Sequence, residues 1–312
     1  MFKWRKLQLM LLLTAIQAMM MAGPAISADD DAAAVTATLL ADTTAIQAGT
    51  TFRLGVLFRM APEWHIYWLN PGDAGLSTAI EFVLPEGFTA EPLRWPTPIR
   101  FVQPGDITGY GYDGEVLLWA DITPPPTLPT DQTLPLKAEV SWLSCKDKCV
   151  MGQAAPTLAL PVGEARPSAA AATFTRWMGR LPERLAPGTS GDGVSWQMRW
   201  RQEGAEWRAE VDVRWDMAPV AVECYPAVTD TLLVRHRATT LDGPRSRIDL
   251  DVALQPAVDP TDLAADFFAV IRARWAAGDE KAFQLFLTAP PELMTSSSSH
   301  AFLHFTILEE KQ

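Results

Sequence analysis

Cys145 and Cys149 lie four positions apart in the stretch WLSCKDKCVM, residues 142–151, and are two of only three cysteines in 312 residues. Lys146, Asp147 and Lys148 separate them. Thiols at this spacing support three chemistries. A redox pair would open and close by exchange, with a thiolate as the attacking species. A staple would close once and stay closed, as paired cysteines do in oxidising compartments. A soft-metal clip would offer Cu(I) the thiolates of Cys145 and Cys149 and the thioether of Met151. Zinc would want four ligands, and no histidine lies nearby in sequence. So short a loop restricts the unfolded chain little, which weakens the staple. Lys146 and Lys148 would stabilise a neighbouring thiolate, with Asp147 offsetting part of that effect. Exchange is favoured by these residues, and the other two readings stay open.

The elements that must hold the pair are strands. Ala138, Val140 and Trp142 alternate with polar residues up to Cys145, and Cys149 opens the next apolar stretch. A tight turn over residues 146–148 would therefore bring the thiols face to face across a hairpin, within the Cα separation of about 4.4 to 6.8 Å that a disulfide tolerates. The same period of two recurs in FRLGVLFRM, AIEFVL, EVLLWADI and PTLALPV, separated by turn clusters such as NPGDAG, LPEGF and TPPPTLP. Many short strands at this spacing predict an antiparallel sandwich, and the 25 prolines suit turns and strand edges.

Residues 1–28 read as a secretory signal peptide: Lys3, Arg5 and Lys6, then an apolar run, then small residues before an acidic stretch. No later run approaches the roughly 18–20 apolar residues of a spanning helix, so the chain is expected not to span a membrane after cleavage. Losing those three positive charges moves the net charge from -11 to -14. An acidic chain without a basic stripe excludes nucleic-acid binding.

The expected organisation is a first sandwich over residues 29–163, a linker with a short helix over 164–193, and a second β-rich domain over 194–312. In the linker, Phe174, Trp177, Met178 and Leu181 form a helical stripe, with Ser168 as cap and Pro182 as stop. The second domain is expected to be strands at WQMRW, WRAEVDVRW, TLLVRHRA, RIDLDVAL and AFLHFTIL. The segment from Asp259 to Leu287 reads either as a capped helix or as two strands joined by AAGDEK, with the hairpin preferred. The overall expectation is all-β: two immunoglobulin-like antiparallel β-sandwich domains joined by a short helical linker.

An ordered series of motifs, WHIYWLNPGDAGLSTAIEF, WPTPIRF, GYGYDGEVLL and VSWLSCKDKCVMGQAAPTLALPV, resembles the N-terminal periplasmic domain of the disulfide reductase DsbD. It is similar in particular to the suppressor-of-copper-sensitivity branch, ScsB, over about residues 35–162. The resemblance implies an immunoglobulin-like sandwich in the periplasm whose two cysteines, here Cys145 and Cys149, shuttle electrons to thioredoxin-fold proteins without a cofactor. It also implies a cap loop bearing an aromatic residue; the corresponding region is about residues 101–112, with Phe101, Asp106, Tyr110 and Tyr112 as candidates. The cysteine spacing is shorter than in the best-known members. Family reductases usually continue into a membrane region, so a separately encoded membrane donor or a soluble thiol donor is expected.

Other residues attract plainer readings. Trp64, His65, Tyr67 and Trp68 read as sandwich core, His65 as a hydrogen-bonded core or edge histidine, and residues 70–73 as a turn. Cys224 reads as a small buried hydrophobe. Ser296 to Ser299 read as a loop, and His300 and His304 as strand residues rather than a metal pair.

Overall fold

The computed structural model describes residues 34–185, 190–191, 193–203, 206–227, 232–254 and 266–288. The expected signal peptide, Ser296 to Ser299, His300, His304 and the strand expected at AFLHFTIL lie outside them. Among the described residues, no helix is long and apolar enough to cross a membrane.

The first eleven strands are β1 (Val35–Ala41), β2 (Phe52–Met60), β3 (His65–Gly72), β4 (Ala79–Val83), β5 (Thr89–Ala90), β6 (Ile99–Gln103), β7 (Ile107–Asp113), β8 (Glu115–Thr123), β9 (Thr133–Cys145), β10 (Cys149–Ala154) and β11 (Thr157–Pro161). They form two antiparallel sheets. One runs β1-β2-β8-β5; the other runs β10-β9-β3-β7-β6, with β4 and β11 also paired to β9. Between the sheets lie Leu54, Val56, Phe58, Leu136, Ala138 and Trp142, all buried, with Phe58 edge-on to Trp142 at 5.6 Å. This is the all-β antiparallel sandwich that the alternating patterns predict and the immunoglobulin-like architecture that the resemblance implies.

β8 is buried on both faces from Val116 to Ala120. The reason is a single helix, α1 (Ala171–Met178), whose buried Phe174 meets Trp119 edge-on at 6.4 Å. Phe174, Trp177 and Met178 of the expected stripe lie in the helix, but it ends at Met178 with Gly179 as C-cap, before Leu181 and Pro182, and its N-cap differs from expectation too. Ala170 is the N-cap and makes no side-chain cap bond. Ser168 instead donates to the Ala41 carbonyl at 2.6 Å and accepts from the Ala170 N–H at 3.0 Å, which ties the approach to the helix onto β1. The hydroxyl finds a tertiary acceptor that local spacing does not reveal.

The remaining strands are β12 (Glu183–Leu185), β13 (Ser190–Gly191), β14 (Val194–Glu203), β15 (Glu206–Trp215), β16 (Ala221–Pro226), β17 (Leu232–Asp242), β18 (Arg245–Leu254), β19 (Asp266–Arg274) and β20 (Glu280–Thr288). They form sheets β12-β20-β19-β16 and β13-β14-β15-β18-β17, antiparallel except for the β12–β20 pair. A separate core of Trp196, Val211, Trp215, Ile248, Leu250, Phe267, Ile271, Phe283 and Leu285 lies between them. From Asp266 the preferred hairpin is what forms: β19 and β20 pair in register from Asp266↔Thr288 to Arg274↔Glu280.

Candidate functional site

Cys145 ends β9, Cys149 begins β10, and the two are directly opposite in the antiparallel register. The turn between them is closed by the Lys146 N–H donating to the Lys148 carbonyl at 3.1 Å. Directly opposed residues without mutual hydrogen bonds stand with Cα atoms about 4.5 Å apart, and these two are 4.1 Å apart and joined by a disulfide. The hairpin expected from the alternation of β9 is therefore present. What the alternation leaves undetermined is the inequality of the sulfurs. Cys145 is fully buried, whereas Cys149 is exposed on the edge strand β10.

The cover over Cys145 comes from the neighbouring strand. His65 on β3 is the register partner of Cys145, so side chains at 65 and 67 share the face of the sheet that carries the sulfurs. The Tyr67 hydroxyl donates to Cys145 Sγ at 3.4 Å, and itself accepts from Gln103 Nε2 at 3.0 Å. The Phe101 ring packs against His65 at 3.9 Å, tilted by 41°, and lies 5.7 Å from Tyr67. Burial raises the Tyr67 pKa, so the hydroxyl keeps its proton and remains a donor. A disulfide sulfur is a weak acceptor, and a thiolate is a strong one. The Gln103–Tyr67–Cys145 chain is therefore built to stabilise charge on the buried sulfur once the bond opens.

The expected cap region, residues 101–112, is the β6–β7 hairpin. Of its four candidates, Phe101 alone joins the aromatic cover. Asp106 sits at the exposed tip of the turn with φ 60°. Tyr110 and Tyr112 are buried elsewhere. Tyr110 packs edge-on against Tyr225 at 5.3 Å, and Tyr112 donates to the Pro96 carbonyl at 2.7 Å. Lys146 is engaged by Glu63 at 2.6 Å, which raises the lysine pKa and lowers that of the carboxyl. Lys148 is exposed in the turn. Met151 is also exposed, two residues beyond Cys149 on the same face of β10. Cys224 lies in β16, unpaired and buried, and burial pushes its thiol pKa up.

Tyr67 and Gln103 were not singled out as site residues from the sequence, whereas His65, expected to be a hydrogen-bonded core or edge histidine, is half-buried with its Nε2 3.4 Å from Gln103 Nε2. The signal available was the period of two through His65 and Tyr67, which puts both on one face. Nothing local says that this face is the one bearing the cysteines.

His65 is held neutral, with its pKa lowered to about 4 by burial against a smaller opposing pull from Asp113. The unfolded chain protonates this ring below its ordinary 6.5, and the folded chain resists until about 4. Stability should therefore fall as pH drops through that window. Between pH 7 and 5.5 the loss is expected to be at most about 1 kcal/mol, since the ring is only half-buried and solvent screens part of the effect. Urea midpoints at the two pH values should differ less in His65→Phe than in the wild type; an equal drop in both would refute this assignment.

The family comparison agrees with this geometry. Residues 36–161 match the family described as "Thiol:disulfide interchange protein DsbD, N-terminal". The segment is a DsbD-like N-terminal domain. The crystal structure of the N-terminal periplasmic domain of ScsB from Proteus mirabilis superposes with a TM-score of 0.55 at 18% identity, covering 81% of this chain and 91% of that one. At that identity the match shows a shared fold. A protein of unknown function from Porphyromonas gingivalis W83 (TM-score 0.22, 10% identity, 82% and 100% coverage) and the YadV chaperone (0.21, 8%, 80% and 99%) superpose only loosely. No curated protein matches the sequence. Within the DsbD-like domain the matched segment contains both cysteines, the Tyr67–Gln103 chain and Phe101.

Proposed function

We propose that this protein is a periplasmic thiol–disulfide exchange protein. Its Cys145–Cys149 pair passes reducing equivalents to thioredoxin-fold proteins and is recharged by a thiol donor. The observation that carries this reading is the asymmetry of the pair: one sulfur is open to a partner, and the other is buried beneath a hydroxyl donor.

Attack proceeds at the open sulfur. In the reduced protein the Cys149 thiolate attacks one sulfur of the partner's disulfide, and the partner's other sulfur leaves as a thiolate. Cys145, deprotonated, then attacks Cys149 Sγ within the mixed disulfide; the partner's second sulfur leaves and the Cys145–Cys149 bond forms. Two electrons pass to the partner, whose two thiolates take up the two protons given up by this pair. Recharging is the reverse: a donor thiolate attacks Cys149, and Cys145 leaves as a thiolate that accepts the Tyr67 hydrogen bond. Exchange is faster when the leaving thiol is the more acidic one, and the donated bond at Cys145 favours that polarity.

The test equilibrates the oxidised protein with glutathione buffers of set ratio, then mixes reduced protein with an oxidised thioredoxin-fold protein. The couple is expected to open reversibly and to remove one disulfide from the partner per molecule. A bond that persists in excess dithiothreitol would overturn the reading. So would reduced protein that binds Cu(I) stoichiometrically and leaves the partner's disulfide intact.

A further inference from the structure

β3 carries two sets of contacts. His65 and Tyr67 face the sulfurs, while Trp68 and Asn70 reach the second group of sheets. The pairing of β3 with β7 runs from His65 to Tyr67, then shifts register and resumes only at Gly72. Its pairing with β9 covers only His65 and Ile66. The stretch that was expected to turn at residues 70–73 therefore continues as strand to Gly72, but residues 68–71 have no ladder partner. Pro71, which lacks an N–H, fits such a gap.

What fills the gap comes from β16 and β19. Asn70 Nδ2 donates to the Pro226 carbonyl at 2.6 Å, and its Oδ1 accepts the Gly72 N–H at 2.9 Å. Trp68 is fully buried between Tyr225 and Phe268, edge-on to each at 6.5 and 6.4 Å. Tyr110, on the adjoining β7, closes on Tyr225. Tyr67 itself is gripped from the loop that follows β3. Thr78 Oγ1 donates to the Tyr67 carbonyl at 2.8 Å, and Gly75, at φ +120°, lies flat on the ring, where a Cβ would come within 2.5 Å of Cε1.

We infer that the second group of sheets is a positioning element for the redox pair: by clamping Trp68 and Asn70 where β3 has no ladder, it holds the adjacent Tyr67 hydroxyl on Cys145 Sγ. A hydrogen bond at 3.4 Å weakens steeply with small displacements or misalignment of its donor. Loosening the clamp should therefore weaken the donated bond, and the thiolate loses more by this than the disulfide sulfur does. The reduced state is disfavoured as a result. The inference rests on the exchange reading above.

A double-mutant cycle on the full-length protein tests it, read as the equilibrium constant of the Cys145–Cys149 couple with glutathione. Phe268→Ala removes one wall of the clamp at a residue that is only partly buried. Asn70→Asp keeps the acceptor for Gly72 and loses the donor to Pro226. Each is expected to shift the equilibrium toward the disulfide by roughly threefold or more, as coupled neighbours do. In a Tyr67→Phe background the same changes should have almost no further effect. Shifts of equal size with and without the hydroxyl, or no shift in either variant, overturn the inference. Either result leaves the exchange reading intact provided the wild-type couple equilibrates with glutathione; a wild-type bond that cannot be reduced would instead sink that reading first.

Discussion

Cys145→Ser should accumulate a mixed disulfide with an oxidised thioredoxin-fold protein, and Cys149→Ser should not. In the first variant the remaining thiol is the exposed one on β10, free to attack but with no neighbour to resolve the product. In the second the remaining thiol is fully buried under Tyr67, and a partner sulfur cannot approach in line. The yield of trapped complex on a non-reducing gel should differ by ~10-fold or more, since access as well as acidity controls cysteine reactivity. Net two-electron transfer should fall to background in both, because each lacks one of the two sulfurs. Equal trapping by the two variants, or trapping by Cys149→Ser alone, would reverse the assignment of attacking and resolving roles. The comparison is clean because the bond contributes little to folding. Closing so short a loop is worth only about 2 kcal/mol in the chain-entropy model, so both variants should stay folded.

Gly111→Ala should cost about 3 kcal/mol of stability and disturb the site, although it adds only one methyl group. Gly111 lies on β7 between two neighbours, opposite Tyr67 on β3 and Ile99 on β6. A Cβ there would come within 2.0 Å of the Ile66 carbonyl oxygen and 3.1 Å of the Tyr67 Cα. Both obstacles are backbone, so no rotamer change can relieve the overlap, and β3 and β7 must separate. Overpacking at a site that cannot relax is at the costly end of single substitutions. Because the displaced strand is the one bearing His65 and Tyr67, the Cys145–Cys149 couple of the variant should also shift toward the disulfide in glutathione buffers. Gly163→Ala, where a Cβ meets open space, is the control and should be near neutral in urea unfolding. A Gly111→Ala midpoint indistinguishable from that control would show that the two strands are not held so closely together.

The hairpin of β9 and β10 was legible because three residues separate the cysteines and the alternation before them is strict. Both are local facts, and a three-residue turn leaves the chain few options. The β19–β20 hairpin was legible for the same reason, through its Gly-Asp turn. The Ser168 cap was not, because its hydroxyl bonds to Ala41, 127 residues away. Nor were Tyr110 and Tyr112 distinguishable from Phe101. All three are aromatics on one β-ribbon, and which of them faces the sulfurs depends on sheet packing.

The sequence by itself determined an all-β chain and a pair of sulfurs beside the turn of a hairpin, since strand periodicity and turn length are properties of neighbouring residues. The tertiary structure decided that Cys145 is covered and Cys149 open, that Tyr67 points at the covered sulfur from 78 residues away, and that β16 and β19 brace the strand carrying it. These depend on the register between strands far apart in the chain, and register is a property of the assembled sheets, where a shift of one residue turns every side chain to the opposite face.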